Sequence, residues 1–238
     1  MKNAVLAVLQ AGKLGCAMNR TELTEPRDIR IWFSKTGTAR HISHLDLLRS
    51  MTRAVRRAGI PIWYTEGFNK HPYLTFASPL SLGYEGFHES FDIRVMEEFL
   101  PGEIKAAISD VMPMGIVVTD VTYPVMKAGK ITHAQYKIKL PFDERAADFM
   151  AQDSIIVKKK SKKGKIRELE IAPYVAGIKY TVDGDEMLWE VMLPASSADN
   201  INPIFLVSAF GEFIGDDSYK TGAEISRINL YCQDELFA

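Results

Sequence analysis

The 238-residue sequence is poor in cysteine, in long apolar runs and in any excess of one charge. Its two cysteines, Cys16 and Cys232, stand near opposite ends with no metal-ligand or redox spacing. This favours a reducing, cytoplasmic setting and leaves a single disulfide between the ends as the only alternative. No stretch approaches the roughly 20 apolar residues of a membrane span, so no membrane partner is expected. Net charge is −1, and global charge therefore predicts no polyanionic partner. A Gly-rich phosphate loop, a dinucleotide fingerprint, a His-Glu-x-x-His pair and a nucleophile elbow are all missing. No metal site and no cofactor are expected in this chain, and no activated nucleophile can be assigned.

What is present is an ordinary globular balance, 47% hydrophobic and 25% charged, enough for one large domain or two of ordinary size. Residues 1–17 carry a short apolar stretch after Lys2, interrupted by Lys13, and read as a disordered or mis-started leader. A polar lead extends this segment to residue 27. From there β-rich and helix-periodic stretches alternate. Residues 29–35 read as a strand ending at Thr36-Gly37. Ser43 with Asp46 three positions on resembles a capping box, opening a helix stopped by Gly59 and Pro61. Leu45, Leu48, Thr52 and Val55 supply its expected buried face. Strands follow at 60–65, 74–77 and 91–95, then a helix opened by Pro101 and a strand at 115–121. The order is β-α-β-β-α-β, the ferredoxin-like pattern.

The second half repeats that order. Strands are expected at 136–140, 155–159, 178–182, 187–193 and 224–231, with helices at 143–151 and 204–214. Asp183-Gly184-Asp185 forms a hairpin turn. The expectation is an α+β chain of two tandem ferredoxin-like subdomains, 28–123 and 132–238, joined through 123–131 and preceded by the 1–27 leader.

Charge and polar groups concentrate between residues 28 and 86. From Asp28 to Pro72, eight bases stand against three acids. Arg49, Arg53, Arg56 and Arg57 lie on one helical face, a row suited to a phosphate backbone. A solvated amphipathic face gives the same row. His41 and His44 flank the helix start, where a histidine can cap the helix, contact phosphate or act as a general base. In the loop that follows, Phe68, Asn69, Lys70 and His71 offer stacking and hydrogen bonding to exposed bases. A structured β-β connection would use the same residues. Lys35 joins this set from the first strand, and Lys162, Lys163 and Lys165 from a lysine-rich turn in the second half, which suits a phosphate clamp.

Phe33-Ser34-Lys35-Thr36-Gly37, Arg40-His41-Ile42-Ser43-His44-Leu45-Asp46, Glu66-Gly67-Phe68-Asn69-Lys70-His71-Pro72 and Phe76-Ala77-Ser78-Pro79-Leu80-Ser81-Leu82-Gly83 together resemble a bacterial family. It is the radical-SAM-linked family of the domain of unknown function 2344. The resemblance runs over roughly residues 28–230 and is strongest in the first half. Gly164-Lys165 with Glu170-Ile171-Ala172-Pro173-Tyr174 matches more loosely. Members occur alone or behind a radical SAM domain, which implies an accessory role beside such an enzyme in RNA or ribosome-related modification. This chain has no three-cysteine motif and cannot itself hold that chemistry's iron–sulfur centre. The leading expectation is a non-catalytic RNA-binding accessory protein with a tRNA or rRNA partner and a separate radical SAM partner. The alternatives are a metal-independent endoribonuclease using His41 or His44, and a pure protein-interaction module.

Overall fold

The computed structural model describes residues 21–160, 164 and 166–238 of an α+β chain. Two compact units divide it, Met1–Ala128 with Ala238 and Gly129–Phe237.

In the first unit the elements run β1 (Glu22–Lys35), a 3-10 turn (Gly37–His41), α1 (His44–Arg57), β2 (Leu74–Phe76), β3 (Glu85–Glu97), α2 (Pro101–Ser109) and β4 (Ile116–Thr122). β1 pairs antiparallel with both β3 and β4, and β2 pairs antiparallel with β3, giving the order β4-β1-β3-β2. Alternation makes the core: Ile29, Ile31 and Phe33 of β1 and Phe91, Ile93 and Val95 of β3 turn the same way. Leu47, Met51 and Val55 of α1 and Ile104, Ala107 and Ile108 of α2 close over them. Full burial of each of these aliphatic side chains is worth roughly 1.5–3 kcal/mol, so this layer dominates the unit's stability.

Local signals fix where α1 begins and ends. Ser43 is extended, and its Oγ accepts the Asp46 backbone N–H at 3.2 Å. Beyond Ala58, Gly59 takes φ +72°, and the Ile60 and Gly59 N–H groups return to the carbonyls of Val55 and Arg56. That is a Schellman stop, as the glycine predicts. The buried face, however, is Leu47, Met51, Ala54 and Val55, and Leu45 is exposed. The expected face was rotated because leucines at 45, 47 and 48 offer two competing stripes, and the core took the one that Met51 and Ala54 continue.

Two further differences concern strands. β1 starts at Glu22, so residues 22–27 belong to a strand rather than to a leader. Residues 1–20 lie outside the described residues. The stretch 60–65 is not a regular strand; it meets β3 at the bridge Ile62↔Val95, and Tyr64 bridges to Pro72 in the loop that follows.

The second unit holds β5 (His133–Pro141), α3 (Ala146–Met150), β6 (Ile156–Lys160), β7 (Ile166–Glu170), α4 (Ala172–Ala176), β8 (Lys179–Asp183), β9 (Glu186–Pro194), α5 (Ile204–Ile214), α6 (Tyr219–Gly222), β10 (Glu224–Cys232) and β11 (Glu235–Leu236). Antiparallel pairings give β10-β5-β9-β8, with β11 on β10. The core is aromatic: Trp189 of β9 meets Phe210 of α5 at 5.3 Å and Phe149 of α3 at 6.2 Å between ring centroids. The stretch expected as a strand at 155–159 does not join this sheet. β6 and β7 form a two-stranded ribbon of their own. Asp143 lies ahead of α3, where its Oδ1 accepts the Arg145 backbone N–H at 2.9 Å while its carboxylate grips the Arg145 guanidinium at 2.9 and 2.6 Å.

Candidate functional site

The arginine row of α1 is on the surface, but its members are not equivalent. Arg49 pairs with Asp46 at 3.0 Å, and both side chains are more than half exposed, so the pair adds little stability. The Asp46 carboxyl is held below its ordinary range, first by the Ser43 hydroxyl and then by Arg49. The Arg53 side chain is exposed and makes no ion pair or hydrogen bond among the described residues. Arg57 donates to the Val111 carbonyl at 2.6 Å and is occupied in tying α1 to the chain beyond α2. Arg56 lies 5.7 Å over the ring of Tyr64, a cation–π contact of about 0.5–1 kcal/mol at an exposed site.

Tyr64 opens a short arm. Its two sides are joined at the Tyr64↔Pro72 bridge, through Thr65 N–H to the His71 carbonyl (2.9 Å) and Tyr73 N–H to the Trp63 carbonyl (2.9 Å). Arg94 of β3 anchors the base: it stacks on Tyr73 at 4.3 Å and on Trp63 at 5.4 Å. The Asp28 carboxylate accepts its hydrogen bonds, at 2.6 and 3.1 Å, and raises its pKa. Nδ1 of His71 lies 3.1 Å from both Thr65 Oγ1 and the Asn69 carbonyl, which closes the tip. At that tip Phe68 is fully exposed, with Asn69, Lys70 and His71 exposed beside it. The arginine row and the aromatic arm, separated in sequence, meet where Arg56 covers Tyr64.

Lys35 belongs elsewhere. It is 1% exposed, and its ammonium donates to the Arg40 carbonyl at 3.2 Å, which removes it from any surface contact. Its position follows from the alternation of β1, which continues inward from Ile31 and Phe33; that signal was legible in the sequence. Glu89 of β3 is also buried, at 3% exposure. Its side chain lies against Gly86, where an added methyl group would meet Glu89 Cγ at 2.5 Å. Arg40 itself accepts the Gly83 N–H at 2.9 Å, and Glu85 accepts the Gly37 N–H at 2.7 Å. The Lys-Thr-Gly, Arg-His and Ser-Leu-Gly strings, spread over some fifty positions, therefore gather at one end of the first unit. Sequence reasoning did not single out Glu89 or Gly86 as partners of that end.

His44 sits edge-on to Phe76, 5.2 Å between centroids, and burial followed by the nearby Lys35 charge lowers its pKa. His41 is exposed, and its Nε2 accepts from Arg40 Nε at 3.3 Å. The two candidate bases occupy different environments, one packed and one open. A third histidine, His88, stacks on Trp32 at 4.3 Å, and burial lowers its pKa.

A model of a family described as an uncharacterized protein conserved in bacteria (DUF2344) matches residues 28–203. The chain belongs to this family. No curated protein matches it. The DUF2344 match covers every element of the first unit from Asp28 onward, and so includes the arginine row, the arm and the buried Lys35–Glu89 end.

In the second unit, Lys162, Lys163 and Lys165 lie outside the described residues. The ribbon that leads to them is exposed on most of its length, with Val157 buried, and Lys159 donates to the Asn200 carbonyl at 2.7 Å. Among the described residues no group of three or more His, Cys, Asp and Glu side chains is gathered for a metal ion. No helix among them is long and apolar enough to cross a membrane.

Proposed function

We propose that this DUF2344 protein is a cytoplasmic, non-catalytic accessory protein that binds tRNA or rRNA and works beside a separate radical SAM enzyme in RNA modification. We read each unit as a ferredoxin-like subdomain. In each, the sheet runs last-first-third-second among its four main strands, with the ribbon of β6 and β7 inserted in the second. The observation that carries the RNA reading is the Arg56–Tyr64 contact, which makes one surface of the arginine row and the arm that presents Phe68, Asn69, Lys70 and His71. Arg49, Arg53 and Arg56 take phosphates, while the arm meets bases. Arg57 serves structure, since its guanidinium is spent on Val111.

The test is fluorescence anisotropy with labelled tRNA and rRNA fragments. Three phosphate contacts give a slope of log K against log salt of about −2 to −3, and Arg53→Glu with Arg56→Glu flattens it and abolishes binding at moderate salt. Absence of affinity at low salt, or affinity indifferent to the double reversal, defeats the reading. The radical SAM partner rests on the family resemblance and is tested by co-purification that survives ribonuclease.

One observation favours a second reading. His44 is half-buried against Phe76, and burial lowers its pKa, so its imidazole holds a proton less readily than a free one and can serve as the proton acceptor that a metal-independent endoribonuclease requires. Cleavage of labelled RNA by the purified protein, lost in His44→Ala and in His41→Ala, would establish it.

A further inference from the structure

We infer that the RNA bound by this surface is a stem with an unpaired nucleotide at its end or in a bulge, and that Phe68 is the platform on which that nucleobase stacks. The inference rests on the RNA-binding reading above and names its substrate class. Phe68 stands at 103% exposure, at the end of an arm whose two sides are joined by two backbone hydrogen bonds and whose base is clamped between Trp63, Tyr73 and Arg94. The ring is held away from the body of the unit and touches none of it. Such a ring has nothing to stack on in an intact duplex, where both faces of every internal base are already covered. A splayed or terminal base offers a free face. Charge beside the arm argues for nucleic acid over an apolar protein groove: Lys70 flanks the ring, and Arg56 and Arg53 continue the positive face along α1, where Arg49 and Arg56 are separated by about 10 Å of helix axis. A duplex stem lies along that row, and its unpaired end reaches the tip.

His71 adds a directional group. Its Nδ1 atom is engaged within the arm, 3.1 Å from both the Asn69 carbonyl and the Thr65 hydroxyl, so Nε2 is the ring nitrogen that faces outward, a donor or an acceptor according to the tautomer. The stacking ring itself favours adenine, whose two-ring face covers more of a phenyl ring than the single ring of uracil does.

Three RNAs of equal stem length decide the matter: a hairpin with an adenine-rich loop, the same hairpin with a uridine-only loop, and a blunt duplex. Binding is read by anisotropy, and by quenching of 2-aminopurine placed in the loop. The wild-type protein should bind the adenine loop best and the blunt duplex least. Phe68→Ala, an exposed substitution that leaves the arm's hydrogen bonds in place, should weaken hairpin binding on the order of tenfold and leave duplex binding unchanged. Phe68→Trp should retain hairpin affinity and quenching. If Phe68→Ala loses nothing on the hairpin while binding stays salt-dependent, the stacking inference is overturned and the RNA-binding reading survives; a loss instead of ribonuclease-resistant partner capture would assign the ring to a protein. If no RNA binds at low salt, both fall.

Discussion

Replacing Gly115 with alanine perturbs the turn that launches the motif-rich end of the first unit. Gly115 has φ +80°, and its carbonyl accepts the Thr36 N–H at 2.9 Å, fastening the start of β4 to the residue after β1. Alanine meets two separate costs there. The left-handed backbone costs an L-residue about 1–2 kcal/mol. The new methyl group would also lie 2.7 Å from the Thr36 carbonyl oxygen and 2.8 Å from Ala39 Cβ. Neither neighbour is a mobile side-chain end: one is hydrogen-bonded backbone, the other is buried at 2% exposure. Overpacking of that kind adds about 1–3 kcal/mol, so the total is about 2–5 kcal/mol, a large share of an ordinary domain stability of roughly 5–15 kcal/mol. Urea unfolding followed by tryptophan fluorescence reads the first unit through Trp32 and Trp63, and its midpoint should fall by about 1–2.5 M for an m-value near 2 kcal/mol/M. Gly102→Ala is the internal control. It lies in α2 with nothing within 4 Å of the added methyl, and helix propensity predicts a gain of up to about 1 kcal/mol. Equal midpoints for Gly115→Ala and wild type would refute the packing of residues 36–39 against β4.

Gly86→Ala should destabilise by a smaller amount, about 1–3 kcal/mol, because the obstructing atoms belong to the Glu89 side chain, which can shift but is buried. The combination with Glu89→Ala, measured by the same unfolding experiment, should recover part of the clash. Stability should also depend on pH through His44. Its folded pKa is lowered by burial, so the unfolded chain takes up the proton first as pH falls. The folded state should lose stability as pH drops through about 6.5 and level off once the folded histidine titrates. His88 is lowered by the same cause and adds a parallel slope. His44→Phe should flatten the profile between pH 7.5 and 5.5, and an unchanged profile would contradict the packing of His44 on Phe76.

Parts of this molecule were legible because the signals are local. Ser43 and Asp46 start α1, Gly59 ends it, Pro101 opens α2, and the Asp183-Gly184-Asp185 turn joins β8 to β9. The reading failed where tertiary packing chose among equivalent local options. Three leucines within four positions left the face of α1 undecided until Met51 and Ala54 met the sheet. The lysine-rich stretch at 156–160 has strand propensity, yet among the described residues it pairs with 166–170 and not with the main sheet. The site shows the same division. Phe68, Asn69, Lys70 and His71 are exposed, as a polar loop bounded by Gly67 and Pro72 predicts. Lys35 is not, because a strand's alternation outranks the preference of one ammonium for water when a carbonyl is within reach. Glu89 carries no local sign of burial at all. Only Gly86, three positions away and without a side chain, leaves room for it.

The central claim is that one surface of the first unit, the arginine row of α1 with the arm ending in Phe68, holds RNA. Ultraviolet crosslinking in cells tests it most directly, with the bound RNA sequenced and the crosslinked peptides identified. The account predicts tRNA or rRNA, attached to peptides from residues 49–73, with yield lost in Arg53→Glu plus Arg56→Glu. Recovery of no RNA, or crosslinks confined to peptides remote from that surface, would contradict it.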